Sequence, residues 1–74
     1  NNDFKSQLQI YCQKNKLKLE YVLISETLQQ QGKLFKIEVR IDGNAYTTFE
    51  NFSKKIAEQK AAELTLQQLN EQKN

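Results

Sequence analysis

Two adjacent lysines, Lys54 and Lys55, follow Ser53 where a long run of helix-forming residues begins. A helix start presents unpaired backbone amides and a partial positive charge. Cations placed there work against the dipole and in favour of a bound anion, so the arrangement suits a phosphate. A lysine pair by itself is equally well a solvated surface. Lys60 falls opposite the apolar arc of the same run and reads as plain surface, while Lys14, Lys16 and Lys18 add only diffuse positive charge.

Catalytic chemistry has no comparable constellation. The chain holds no His, one Cys and two Gly, and its nine acids are spread singly. Zinc sites draw mainly on Cys and His, and one Cys with no His leaves nothing to build from; His-dependent triads and His general bases are excluded too. No acid cluster suits a two-metal centre, and Gly32 and Gly43 make no phosphate-cradling loop. Cys12 lies on an apolar stripe with no His to activate it, and reads as a buried structural thiol. The expectation is a binding module, not an enzyme, with no cofactor, no metal and no small-molecule substrate.

The elements that must position these residues fit one small domain. The chain has 74 residues, 38% of them hydrophobic, and a formal net charge of +2. Domains usually run about 50–250 residues, and no Gly/Pro/Ser linker divides this one. The domain is read as residues 3–70, with polar, frayed ends at 1–2 and 71–74. No apolar run approaches the ~20 residues of a membrane helix, and no signal peptide is visible. A lone cysteine fits a reducing, intracellular setting.

Phe4, Leu8, Tyr11 and Cys12 recur at i, i+4, i+7 and i+8, the stripe of an amphipathic helix, with Asn2 or Asp3 as its cap. Its outward face carries Ser6, Gln9, Ile10 and Gln13. Residues 21–25 are β-branched and aromatic and read as a strand. Residues 34–41 alternate, with Phe35, Ile37, Val39 and Ile41 on the buried side, as in an antiparallel sheet covered on one face. Asp42-Gly43 is a hairpin signal, and 45–48 is the return strand. A last helix runs from 54 to about 70, burying Ala57, Ala61, Ala62, Leu66 and Leu69. The fold class is α+β, in the order α-β-β-β-α: a three-stranded antiparallel sheet with both helices packed on one face.

The string Ser53-Lys54-Lys55-Ile56-Ala57-Glu58-Gln59-Lys60-Ala61-Ala62, followed by Leu66 and Leu69, resembles the SKKxAxxxAAxxxLxxL closing helix of double-stranded RNA-binding domains. Phe4-Lys5-Ser6-Gln7-Leu8-Gln9, then Tyr11 and Gln13, looks like that family's first helix, especially in ribonuclease III, Dicer-type enzymes and their RNA-binding partner proteins. Tyr21, Phe35, Val39, Gly43 and Tyr46 match its strand and turn positions. The resemblance implies recognition of A-form RNA by shape, through 2′-hydroxyls and phosphates across ~16 bp, without strong sequence preference. It assigns one minor groove to Ser6, Gln9 and Gln13. The next falls to a loop over 27–33, with Gln30, Gln31 and Lys33, and the phosphates between them to Ser53, Lys54 and Lys55. A module of this kind would serve a larger RNA-processing or RNA-silencing protein, here as an accessory domain at most.

The chain departs from that pattern in places. Ile10 stands where a Glu is usual, Gln29 and Gln31 stand where a GPxH loop has its Pro and His, and Glu58 replaces a third lysine. Glycines usual near Phe49 and Asn51 are missing, and Phe49 and Phe52 are expected to pack locally. Ile10 on an outward face favours a second reading, a protein-interaction or dimerisation module on the same fold with weak or no RNA binding.

Overall fold

The computed structural model describes residues 3–72. Helix α1 (Phe4–Lys14) is followed by strands β1 (Leu19–Gln29), β2 (Gly32–Ile41) and β3 (Asn44–Asn51) and by helix α2 (Lys54–Gln72). The strands form one antiparallel sheet in the order β1-β2-β3. Both helices lie on the same side of it, α2 across β2 and β3 and α1 alongside α2. None of the described helices is long and apolar enough to cross a membrane. The frayed ends expected at Asn1, Asn2, Lys73 and Asn74 lie outside the described residues, whereas Glu71 and Gln72 continue α2.

The core follows the apolar periods. Leu8 and Cys12 of α1 meet Val39 and Ile41 of β2 and Ala61, Ala62 and Leu69 of α2, with Phe4, Tyr11, Leu19, Tyr21, Tyr46, Phe49 and Leu66 packed around them. Alanines at 57, 61 and 62 are fully buried. Their small side chains let α2 approach both the sheet and α1 closely. Thr65 is also buried there, between the alanines and the sheet. Its hydroxyl and that of Thr47 lie 2.7 Å apart, and both reach the Ala61 carbonyl, at 2.9 and 2.8 Å. Each polar atom that α2 buries at this point therefore has a partner.

The turns are built from particular residues. Asp42 and Gly43 both take positive φ, 52° and 80°, the pairing of a type I′ turn between Ile41 and Asn44. Helix α1 ends in a Schellman arrangement: the Leu17 amide donates to the Cys12 carbonyl and the Lys16 amide to that of Gln13, with Lys16 itself at φ 56°. The Asp42 carboxylate accepts from the Lys18 amide at 2.8 Å, tying this end of α1 to the β2–β3 turn.

Strand boundaries differ from the sequence reading where the sheet outgrows the core. Residues 27–33, read as a loop, are largely strand, and only Gln30 and Gln31 turn. Neither has positive φ; Gly32, at φ 132°, makes the reversal and pairs with Gln29. Ile24 is an extra residue in β1, bulging between Leu23 and Ser25 and shifting the alternation by one. Beyond it Glu26 and Leu28 take the helix side, where no helix covers them. Leu28 is 82% exposed as a result. β3 extends to Asn51, so Phe49 is a strand residue against the core, while Phe52 stays 42% exposed.

Candidate nucleic-acid interface

Helix α1 begins under an Asp3 cap. One carboxylate oxygen accepts from the Ser6 amide at 3.2 Å, and the other accepts from the Ser6 hydroxyl at 2.8 Å. The start of α1 is also held from outside. Gln59 of α2 accepts through Oε1 from the Phe4 and Lys5 amides, at 3.0 and 3.3 Å, and donates through Nε2 to Asp3 at 3.0 Å. One side chain thus satisfies two of the free amides that every helix start leaves, together with the capping carboxylate. Beside it Lys5 Nζ meets Glu58 Oε1 at 2.6 Å and lies 5.1 Å from the centre of the Tyr21 ring. Hydrogen bonds from Gln59 and then from Ser6 hold the Asp3 carboxyl below its usual range.

The outward face of α1 carries Ser6, Gln9, Ile10 and Gln13, all exposed. Because α1 leans on α2, a groove of about 390 Å³ opens between it and β1, lined by Lys5, Ser6, Gln9, Ile10 and Tyr21. Ile10 is 53% exposed on its wall. Tyr21 is a partly buried floor whose hydroxyl is shut from solvent and has no partner among the described residues. Burial, then the Glu58 carboxylate, pushes its phenol well above the ordinary tyrosine value.

Helix α2 opens on Ser53, whose Oγ accepts from the Ile56 amide at 3.2 Å and whose own amide donates to Asn51 Oδ1 at 2.9 Å. Lys54 and Lys55 occupy the first turn, which contains no acid. Both are exposed, and neither is in an ion pair among the described residues. A helix places i and i+4 on one stripe, so Lys54 stands one turn before Glu58 and Lys55 one turn before Gln59. The two lysines therefore continue, toward the end of the molecule, the stripe that touches the start of α1.

The sheet brings in the third segment. Asn51, just before α2, pairs with Phe35, which pairs with Glu26. The hairpin continues past that level to Gln30 and Gln31, at about 3.3 Å per residue roughly 13 Å beyond the start of α2. Gln30 and Gln31 are exposed at its tip. Lys33, assigned to a loop from the sequence, lies in β2 and is paired with Glu26 at 3.0 Å, its side chain still 60% exposed.

Ser6, Gln9, Ser53, Lys54 and Lys55 are thus gathered around adjoining helix starts, Gln13 lies farther along α1, and Gln30 and Gln31 stand out on an arm. Asp3, Lys5, Glu58 and Gln59 join them as the links between the helices. Sequence spacing marks Asp3 as a cap but carries no sign of Gln59, because the contact spans more than fifty residues. Glu58, read as a lost lysine, is the partner of Lys5. Buried Cys12, its thiol pushed up by burial and by the Asp42 carboxylate, takes no part.

A family model described as "Double-stranded RNA binding motif" matches residues 4–69. Ribonuclease 3 of Bacteroides fragilis is 37% identical over 68 residues, which cover 90% of this chain and 23% of that protein. Ribonuclease 3 of Wolbachia pipientis wMel is 46% identical over 68 residues, and that of Onion yellows phytoplasma 41% over 64, covering 90% and 86% of this chain. The chain spans 29% and 27% of the length of those two curated relatives. The matched motif fills nearly all of the chain, which makes it a binding domain and not a catalytic one.

Proposed function

Because the chain belongs to the double-stranded RNA binding motif family, we propose that it grips A-form RNA through three segments at one end of the molecule. Ser6, Gln9 and Gln13 meet one minor groove and the Gln30–Gln31 tip meets the next. Ser53, Lys54 and Lys55 hold the phosphates between, with Lys33 beside the tip. A-form RNA favours such a division, since its wide minor groove displays 2′-hydroxyls while its narrow major groove shields the base edges. Lys54 and Lys55 carry the proposal: two exposed cations, in no ion pair among the described residues, at a capped helix start one turn from the contact with α1.

The test is titration of an RNA duplex of about 20 bp against single-stranded RNA and a DNA duplex. Only the RNA duplex should bind tightly. Replacing both lysines (Lys54→Ala with Lys55→Ala) should weaken binding for every duplex sequence and lower the salt slope by about one per lysine. Unchanged salt dependence would show that the phosphates are held elsewhere.

The relatives' name, Ribonuclease 3, supports a role as the RNA-holding part of a larger, intracellular RNA-processing or RNA-silencing protein. Residues 3–70 are proposed as the folding unit. Ile10, 53% exposed beside a groove, favours a second reading, capture of a protein partner or a second copy. Sedimentation decides between them: self-association abolished by Ile10→Glu, without RNA affinity, would select the interaction module.

A further inference from the structure

The chain Gln59–Asp3–Ser6 fixes the direction of one hydroxyl proton. The Asp3 carboxylate has two oxygens, one engaged by the Gln59 amide nitrogen and the Ser6 backbone amide, the other by Ser6 Oγ at 2.8 Å. An ionised carboxylate can only accept, so the Ser6 hydroxyl must donate inward. An aspartate is ionised at neutral pH in any case, and the hydrogen bonds from Gln59 and Ser6 hold the Asp3 carboxyl lower still. Gln59 cannot turn over to release it, because its Oε1 is occupied by the Phe4 and Lys5 amides. What Ser6, exposed on the groove wall, turns to the outside is therefore the lone pairs of its oxygen.

We infer that Asp3 and Gln59 are positioning residues that make Ser6 an acceptor specific for a 2′-hydroxyl donor, and so contribute to the choice of RNA over DNA. The inference rests on the RNA-binding reading above. A free serine hydroxyl rotates and would accept or donate alike; a locked one asks its ligand for a proton. The RNA 2′-OH has one to give and the DNA sugar has none.

The measurement compares an RNA duplex with the same duplex carrying 2′-fluoro groups, which remain A-form but cannot donate. Wild-type protein should prefer the hydroxyl duplex, and Ser6→Ala should reduce that preference about two- to tenfold, the range of one hydrogen bond. Asp3→Asn should reduce it similarly. Asn caps a helix as well as Asp does, but its amide group can donate to Ser6 and turn the serine proton outward. Gln59→Met, which keeps the side-chain length and removes both hydrogen-bonding groups, should lower the preference by a smaller factor. Replacing Lys54 and Lys55 by Ala should weaken both duplexes in proportion and leave the preference intact. An unchanged preference in Ser6→Ala or in Asp3→Asn overturns the inference while RNA binding stands. Failure of the wild-type protein to bind either duplex overturns the RNA-binding reading itself.

Discussion

Tyr21 places a hydroxyl out of reach of bulk solvent and without a partner among the described protein groups, on a ring that lies under the Lys5 ammonium and feels the Glu58 carboxylate. An unpaired buried hydroxyl opposes folding, while the ring itself packs on the core. Tyr21→Phe keeps the ring and its contact with Lys5, and should leave the folded state as stable or up to about 1 kcal/mol more stable in urea unfolding. The pH dependence has a definite sign. The phenol is raised in the folded state, so its contribution is fully present below the unfolded value of about 10 and is lost as pH rises above it. The variant should therefore lose stability less steeply above pH 10. The same Lys5–Glu58 pair explains why an acid in place of a third lysine is no defect in the fold: it faces α1.

At the scale of elements, helix α1 ends with a residue other than glycine in the left-handed region. Lys16 at φ 56° completes the Schellman turn, a conformation costing most residues about 1–2 kcal/mol. Lys16→Gly should raise the denaturation midpoint, the relief exceeding glycine's added chain entropy by a few tenths to about 1 kcal/mol. A lower midpoint would mean that the lysine side chain itself holds the turn. The helices and the Asp42-Gly43 turn were legible because each is written locally: a 3.6-residue apolar period, a cap, a turn pair. The long hairpin was not. Residues 27–31, Thr-Leu-Gln-Gln-Gln, carry no local mark of their state. They become strand and turn because β2 offers them a partner in register after the Ile24 bulge.

At the scale of the whole molecule, the two segments proposed to meet minor grooves are held apart by the sheet. The hairpin tip overhangs the helices, and the molecule extends 42 Å along its longest axis. If the tip and α1 reach successive minor grooves, affinity should rise with duplex length and level off near ~16 bp. Gln30→Ala with Gln31→Ala should weaken binding to a duplex beyond that length and leave a duplex half as long unaffected; a uniform loss across the length series would place the tip and α1 in the same groove. The α-β-β-β-α order, the buried faces and the lysine pair at a helix start all follow from the sequence alone, since period, cap and turn chemistry act between near neighbours. The folded chain adds that Gln59 and Glu58 grip the start of α1, that Ser6 donates to Asp3, and that residues 27–29 are strand. The grip on α1 joins groups more than fifty residues apart, whose meeting is set by how α2 packs across the sheet. The Ser6 donation to Asp3 and the pairing of 27–29 with 32–34 are short-range, but no residue type there marks them in advance.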